Sequence, residues 1–388
     1  MGQDYQKQAR IQEIMAAQDL DVIIARYTEN VLYFTNVWPI TGWGVAAVFK
    51  GKDTTVFIPD SEMDFTGRAI VGDIRPCSDM SLAGIARCLE QLEIPAGARI
   101  GVELTKEDLA SSHLGYEVAF PNKPTFDMIA STFDSCTVVD ATPAIDDMRQ
   151  AKTDFEIAQL KMVNTLTTRG LAAAGEMLQD GEGLTEMEIA TTCEKAINDS
   201  IVDYPNVDFV RAFAFVMAGP NGIKAPRPFN ISSGYRCKNG ELVMLELNTQ
   251  VNGYWSDLTR TWVCGRQPTD EQVAMQDAVN AGIQAALDAM LPGATWLGAF
   301  RAMRESIAAT PFAKYNTPFL GHGIGCKLHE TLPIMHDAVN PADKFISGHC
   351  CSVEPGLYLE KMGALRFERN VAIKENGPVI LDEYPCAL

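Results

Sequence analysis

The chain has 388 residues, 47% of them apolar, with a formal net charge of −18. This length exceeds what one hydrophobic core usually organises, so we expect two domains in an ordinary globular protein. The acidic balance argues against binding nucleic acid or an anionic membrane through general electrostatics. No apolar run approaches the roughly 20 residues that cross a bilayer, and the polar first residues predict no secretory signal. Ten cysteines without a CxxC pair indicate reduced thiols, as in a cytoplasmic protein.

Helix and strand patterns alternate in the first part of the chain and predict an α/β N-terminal domain with mixed strands. Helices are expected from Tyr5 to Gln18 and from Leu82 to Leu92. The predicted strands are DVIIA, VLYFT, GVAAVFK, TTVFIP, ARIGVEL and Cys136 to Asp140. A turn-rich stretch, DATPAIDDM, follows them. We place the boundary there, with an N-terminal domain at 1–148 and a second domain at 149–388.

Helix pairs alternate with β segments in the second domain. The first pair is expected from Thr153 to Leu178 and from Thr185 to Asn198, and each helix begins with a Thr-x-x-Glu capping pattern. The second pair runs from Thr269 to Met290 and from Trp296 to Thr310. This alternation suggests a duplicated α+β core, although the sequence contains no visible repeat.

Two carboxylates occur in a predicted hairpin, LVMLELNTQVNGYWSDLTRT. Glu246 and Asp257 are eleven residues apart on either side of the Asn252-Gly253 turn signal. Paired antiparallel strands would bring the two carboxylates together, and a carboxylate within an apolar strand is costly unless a positive charge compensates it. The alternative is a hairpin with two solvated acids, since Asp and Glu are usually exposed.

A glycine-rich motif, FLGHGIGCKLHETLP, contains two of the five histidines, His322 and His329. Glycines on both sides of His322 permit close approach of the backbone to a ligand. The pattern lacks the Lys-Ser/Thr ending of a P-loop, so it does not favour phosphate binding. Either histidine alone could be structural, but two of them near one glycine-rich turn favour a functional site.

Two further motifs, SVEPGLYLE and GALRFERNVAI, place Glu354 and Glu368 in or beside β-rich apolar segments. Four carboxylates and one imidazole make a plausible pair of metal sites. For Glu368 a structural ion pair with Arg366 or Arg369 is an alternative.

Together these motifs resemble the metallopeptidase family that includes methionine aminopeptidase, aminopeptidase P, prolidase and creatinase. The family motifs are matched by SDLTRT, GHGIG, VEPGLY and GALRFE, in that order, and Glu246 stands where the family has its first Asp. The resemblance is strong from about Met148 onward and looser before it. It implies a pita-bread catalytic domain with a curved antiparallel sheet, preceded by a creatinase-type N-terminal domain.

The resemblance also implies the roles of individual residues. Two divalent ions, of Mn, Co, Fe or Zn, would be held by Glu246, Asp257, His322, Glu354 and Glu368 and would lower the pKa of a bridging water. Glu354 would take the proton of that water, and His329 would donate to the substrate carbonyl. By the same analogy, we expect a homodimer that acts on a small peptide or another small molecule.

Three departures from the family pattern concern the substrate. Glu246 is one methylene longer than the usual Asp. Phe229 occupies the place of a histidine that contacts substrate in prolidase-like members, and Glu330 follows His329 where dipeptide-cleaving prolidases tend to have a nearby Arg. We therefore expect substrate contacts from His329 and Phe229, but not the carboxylate clamp of a strict prolidase.

Three functional hypotheses follow. The first is a metal-dependent hydrolase of the aminopeptidase P/prolidase type, which cleaves a C–N bond in a small peptide. The second is a creatinase-like hydrolase or lyase of a small non-peptide metabolite. The third is a non-catalytic binding protein on the same fold, which retention of four ligand candidates argues against.

Overall fold

The computed structural model describes residues 4–104, 122–224, 231–330, 336–337 and 339–388. It divides into two compact units, Met1–Thr153 and Asp154–Leu388. Among the described residues, no helix combines the length and the apolar character needed to cross a membrane.

The first unit is built around one mixed sheet with the strand order β4-β3-β2-β1-β5-β6. The parallel pairs are β1/β5, β3/β4 and β5/β6, whereas β2 is antiparallel to both its neighbours. Its strands are β1 Val22–Ala25, β2 Val45–Phe49, β3 Thr55–Pro59, β4 Asp73–Cys77, β5 Arg99–Val102 and β6 Thr137–Asp140. Its helices are α1 Tyr5–Ala17, α2 Thr28–Thr35, α3 Leu82–Leu89, α4 Lys123–Thr132 and α5 Thr142–Gln150.

Both faces of this sheet are covered. Along β1, Ile23 belongs to a core shared with α1, α2 and α5, whereas Val22 and Ile24 belong to a core shared with α3 and α4. Side chains on a strand point to alternate faces, so a strand buried on both faces is apolar throughout. This explains why DVIIA has no polar alternation, and it confirms the predicted α/β layer.

Two predictions in this unit are wrong. VLYFT, expected to be a strand, is the second half of α2, and all of its residues are buried. A short apolar run cannot be assigned to a strand or to a buried helix from periodicity alone. The turn-rich DATPAIDDM includes most of α5, whose first turn contains Pro143. Proline is well tolerated there because the first helical N–H groups need no partner within the helix. Strand β4 and helix α4 were not predicted.

The described residues of the second unit form two helix pairs and three small antiparallel sheets, β7-β8-β9, β10-β13-β14 and β11-β12. Helices α6 and α7 share a core with the sheet β7-β8-β9. Helices α8 and α9 share a second core with the strands that follow them in the chain. The helices are α6 Asp154–Leu178, α7 Glu186–Asp199, α8 Asp270–Ala289 and α9 Trp296–Ala308. The strands are β7 Val210–Ala218, β8 Leu242–Val251, β9 Tyr254–Val263, β10 Cys350–Val353, β11 Gly356–Leu359, β12 Gly363–Arg366, β13 Arg369–Lys374 and β14 Gly377–Ile380.

The predicted helix starts in this unit agree with the structure. Thr185 caps α7 in a capping box with Glu188, and Thr269 caps α8 in the same way with Gln272. Each box satisfies backbone N–H groups that the first turn leaves unpaired, which is why the pattern marks a helix start in sequence.

The predicted hairpin is formed by β8 and β9. Asn252 and Gly253 form its turn with positive φ angles of 51° and 89°, as expected for a two-residue hairpin loop. In the resulting register, Glu246 lies opposite Thr259, and Asn248 lies opposite Asp257. Alternate residues such as Leu245 and Leu247 enter the core with α6 and α7. Glu246 and Asp257 therefore share the other face of the hairpin.

Candidate metal centre

Three of the predicted ligands converge on one point. One ligand atom from each of Asp257, His322 and Glu368 lies within 4.8 Å of the other two, and all three side chains are buried. They come from β9, from the glycine-rich segment and from the junction of β12 and β13. Residues more than a hundred positions apart in sequence are thus brought together by the fold.

Asp257 is fixed from two sides. Its Oδ1 accepts a hydrogen bond of 2.6 Å from the amide of Asn248, the residue opposite it on β8. Its backbone N–H donates to Oδ1 of Asn370 at 3.0 Å, and its carbonyl accepts from Nδ2 of Asn370 at 2.8 Å. The other carboxylate oxygen, Oδ2, lies 3.4 Å from Nε2 of His322.

His322 lies in an extended segment beside β10. Its carbonyl accepts from the Ser352 N–H at 2.8 Å, and its own N–H donates to the Ser352 hydroxyl at 3.1 Å. The segment runs so close to β10 that a Cβ on Gly321 would lie 2.1 Å from the Ser352 carbonyl oxygen. Glycine at that position is therefore a steric requirement.

The His322 ring is oriented by its own neighbourhood. Nδ1 is 3.0 Å from the Gly323 carbonyl, which can only accept, so Nδ1 carries the hydrogen. Burial alone would lower the pKa of His322, but the nearby carboxylates of Asp257 and Glu354 outweigh it and raise the pKa to about 9. Nε2 points to the two carboxylates, which is the usual arrangement of a ligating histidine held by a backbone carbonyl.

Glu354 follows β10 directly and is also buried. Its Oε1 accepts from the Ser352 hydroxyl at 3.1 Å and lies 3.6 Å from Nε2 of His322. Its Oε2 is 3.9 Å from Nη1 of Arg366. Glu354 therefore borders the three-residue group on the histidine side.

The buried carboxylate of Glu368 gives the clearest indication that this site suits a cation. Its Oε2 accepts from the Thr259 hydroxyl at 2.7 Å, but its Oε1 is buried without a hydrogen-bond partner among the described residues. Burial, together with the carboxylates of Asp257 and Glu354, raises the pKa of Glu368 well above its usual value. A buried carboxylate oxygen is costly without compensation. A divalent ion at the convergent point would supply this compensation, so the residues present fit such an ion.

Glu246 is placed differently from the other carboxylates. It accepts a hydrogen bond from Nη2 of Arg366, and both side chains are buried. Burial raises the pKa of Glu246, and the Arg366 charge acts in the opposite direction. Arg366 also donates to the Thr259 hydroxyl at 2.9 Å. The solvated-acid alternative for this hairpin is therefore wrong. Arg366, which the alternative reading of Glu368 offered as its ion-pair partner, is paired with Glu246 instead.

His329 lies beside His322, one of the predicted ligands. The centroid of its ring is 4.0 Å from that of His322, and the residue is half-buried. Phe229, the other residue expected to contact substrate, lies outside the described residues. Arg369, the second arginine considered for Glu368, forms an ion pair with Asp382 at 2.6 Å.

Sequence reasoning missed the polar residues that hold the ligands, yet a signal for them exists. Each candidate carboxylate has a hydrogen-bonding residue two positions away: Asn248, Thr259, Ser352 and Asn370 accompany Glu246, Asp257, Glu354 and Glu368, respectively. Residues two apart on a strand share a face. A search at this spacing around each carboxylate would have found all four.

Comparison with known proteins agrees with this geometry. The model of the Creatinase/Prolidase N-terminal domain matches residues 7–151, and that of metallopeptidase family M24 matches residues 158–375. The chain belongs to metallopeptidase family M24. Members of this family use divalent metals, in keeping with the Asp257, His322 and Glu368 group.

Two curated relatives match nearly the whole chain. The Xaa-Pro dipeptidase of Pyrococcus horikoshii is 24% identical over 96% of this chain and 95% of its own length. The Xaa-Pro dipeptidase of Pyrococcus furiosus is 25% identical, with 95% of each chain covered. This M24 protein is thus similar to Xaa-Pro dipeptidases throughout both units.

Solved structures confirm the fold. The prolidase from Pyrococcus horikoshii aligns with a TM-score of 0.74 at 22% identity and covers 98% of this chain and 100% of its own. The X-Pro aminopeptidase from Thermotoga maritima aligns with a TM-score of 0.78 at 20% identity, with 97% and 99% covered. The M24 domain therefore has the predicted pita-bread fold, preceded by a creatinase-type domain.

Proposed function

We propose that this protein is a metal-dependent peptidase that hydrolyses the bond between a residue and a following proline in small peptides. The observation that carries the proposal is the buried group of Asp257, His322 and Glu368, in which one carboxylate oxygen of Glu368 has no partner among the described residues. The names of the full-length relatives, Xaa-Pro dipeptidase, support the substrate class.

The proposed ligands are Glu246, Asp257, His322, Glu354 and Glu368, which would hold two divalent ions. Oxygen ligands with one imidazole suit Mn, Fe(II) or Co, and they do not exclude Zn. Metal bound at such a site acidifies a coordinated water and polarises the carbonyl that is attacked. Four carboxylates and Arg366 carry a summed charge of about −3 when ionised, which favours more than one divalent cation.

The chain's own residues would manage the protons. Glu354, one of the proposed ligands, is also the proposed base, because a general base must lie within hydrogen-bond reach of the attacking water. Its Oε1 is held by Ser352 at 3.1 Å, which fixes the carboxylate for that role. His329, next to the His322 ring, is the proposed donor to the carbonyl oxygen as negative charge develops there.

The residue that follows His329 favours a peptide without a nearby C-terminal carboxylate. Glu330 follows His329, and one of its carboxylate oxygens accepts from the Lys327 N–H at 3.0 Å. By sequence, prolidases that cleave dipeptides tend to have an arginine shortly after the second histidine, whereas this chain has Glu330 next to His329. We therefore propose longer Xaa-Pro peptides, rather than dipeptides, as the better substrates.

A second candidate function is hydrolysis of a small non-peptide metabolite by the same centre. It is favoured by Phe229 and Glu330, which stand in place of two substrate-binding groups of prolidase-like proteins. The variant Phe229→His tests how much the missing imidazole lowers activity on Xaa-Pro peptides. If the protein acts on peptides, this variant should raise kcat/KM on Xaa-Pro substrates; unchanged or lower values would favour the metabolite.

The direct test has two parts. Purified protein loaded with Mn or Co, then freed of excess metal, should retain between one and two ions per chain, and Asp257→Asn should retain fewer. It should then cleave Xaa-Pro tripeptides faster than matched Xaa-Ala tripeptides. Less than about one bound ion per chain would contradict the metal centre. Bound metal without peptide cleavage would favour the second candidate. Size-exclusion measurements would test the expected homodimer.

A further inference from the structure

Two buried polar residues opposite each other in one sheet hold three of the proposed metal ligands. Ser352 on β10 pairs in register with Asn370 on β13. Directly opposite residues of an antiparallel pair project from the same face. Both side chains are fully buried, so each must satisfy its polar atoms within the protein.

Ser352 connects two ligands through a single hydroxyl. The oxygen accepts from the His322 N–H at 3.1 Å, and the hydroxyl donates to Oε1 of Glu354 at 3.1 Å. The hydroxyl has one hydrogen, and it donates that hydrogen to Glu354. Ser352 therefore cannot donate a second hydrogen bond from its side chain. Ser352 thus fixes the backbone position of His322 and the carboxylate orientation of Glu354 relative to each other.

The side chain of Asn370 holds the third proposed ligand, Asp257, by its backbone. Its amide accepts from the Asp257 N–H and donates to the Asp257 carbonyl, as a neighbouring strand would. Because a backbone N–H can only donate and a carbonyl can only accept, these two contacts also determine which end of the amide is oxygen. β9 and β13 belong to different sheets, so this side chain joins the two sheets at Asp257.

We propose that the Ser352–Asn370 pair positions Asp257, His322 and Glu354 for divalent-metal binding, with both residues acting as positioning residues rather than as ligands. This inference rests on the proposed metal-dependent function. It predicts that loss of either side chain weakens metal binding, although neither removes a ligand atom. Outer hydrogen-bond partners of metal ligands typically contribute 10- to 100-fold in affinity.

Metal affinity of folded, metal-free protein separates positioning from a merely structural role. Ser352→Ala removes both hydroxyl bonds, whereas the backbone bond from the Ser352 N–H to the His322 carbonyl remains. Asn370→Ala removes the contacts to Asp257. The matched control is Thr249→Val, which removes a buried hydroxyl from β8 that has no hydrogen-bond partner among the described residues.

The measurement is a titration of each metal-free protein with Co(II), followed by the visible absorption of the bound ion and by the dissociation constant. We expect Ser352→Ala and Asn370→Ala to bind at least tenfold more weakly than the native protein, with an altered Co(II) spectrum. Thr249→Val should match the native protein within about threefold.

Other outcomes separate the two proposals. Native-like Co(II) affinity and spectrum in Ser352→Ala would overturn the positioning inference while leaving the metal-dependent function intact. Absence of Co(II) binding by the native protein would overturn both. If Asn370→Ala does not fold, the Co(II) affinity and spectrum of Ser352→Ala alone test the positioning inference. A lower thermal midpoint of metal-free Ser352→Ala with native-like Co(II) affinity would mean a merely structural role and would also overturn the inference.

Discussion

The carboxylate of Glu246 and the guanidinium of Arg366 form a buried ion pair beside the proposed metal ligands. The two residues lie 120 positions apart, on β8 and β12. Burial by itself would lower the pKa of Arg366, but the surrounding acidic groups, Tyr358 and Glu246 first among them, raise it well above its usual value. Arg366 is therefore charged at every physiological pH, and Glu246 is its direct counter-ion.

Replacement of Glu246 should affect stability and metal content together. Glu246→Ala leaves the Arg366 charge buried without its main partner, and breaking a buried pair in this way costs about 3–5 kcal/mol. We also expect the variant to lose one bound ion. Urea unfolding of the metal-free protein measures the first effect, and elemental analysis measures the second.

Glu246→Asp is the matched comparison, because it keeps the charge and shortens the side chain to the length that the family uses. It should keep or raise the metal content. Unchanged ion content in Glu246→Ala would show that Glu246 serves Arg366 alone and is not a ligand.

Loss of the His329 imidazole should reduce turnover without emptying the metal site. Removal of one donor to a developing oxyanion typically lowers kcat by about 10²–10³. His329→Gln should show such a decrease on an Xaa-Pro tripeptide, with native metal content. A variant that instead loses metal would place His329 among the ligands, and a variant with native kcat would exclude it from the reaction.

A buried acid in the first unit should make that unit less stable as the pH rises. Glu103 accepts hydrogen bonds from the N–H groups of Arg26 and Tyr27 and from the Asn30 amide. Burial outweighs these bonds and raises the pKa of Glu103 to about 7. A raised carboxyl pKa means that the unfolded chain releases the proton first. The contribution of Glu103 to the free energy of unfolding is therefore fully present below about pH 4.5. It is lost as the pH rises through about 7, and the loss is on the order of 3 kcal/mol.

Glu103→Gln cannot titrate and should lose this part of the pH dependence. Unfolding in urea between pH 4.5 and 8 measures it, with Glu13→Gln, at an exposed position on α1, as the control. Equal pH slopes in the Glu103→Gln variant and the native protein would contradict the prediction.

The parts of this structure that local patterns determine were predictable. Thr185 and Thr269 mark helix starts because capping is decided by residues three apart, and Asn252-Gly253 marks a hairpin because few residues accept its backbone angles. The four motifs with Asp257, His322, Glu354 and Glu368 likewise predicted a convergence that the structure shows for three of these residues.

The parts that depend on distant partners were not predictable in this way. Tyr33 and its neighbours resemble a strand because they form a short, mostly apolar run. In the structure they are helical and contribute to a core that also contains residues of α1, α5 and the sheet. The choice of Glu246 over Glu368 as the partner of Arg366 is decided by the register of β8 and by the position of β12. No spacing within the sequence encodes that choice.

The bond between Asn370 and Asp257 has a consequence for folding. It spans 113 residues, and contacts of such sequence separation form late because a long loop must close first. During synthesis, residues 246–260 emerge well before β13. The carboxylates of Glu246 and Asp257 are therefore present before the rest of the site has formed. Metal would then bind after most of the second unit has folded. It would stabilise the folded domain rather than nucleate its folding.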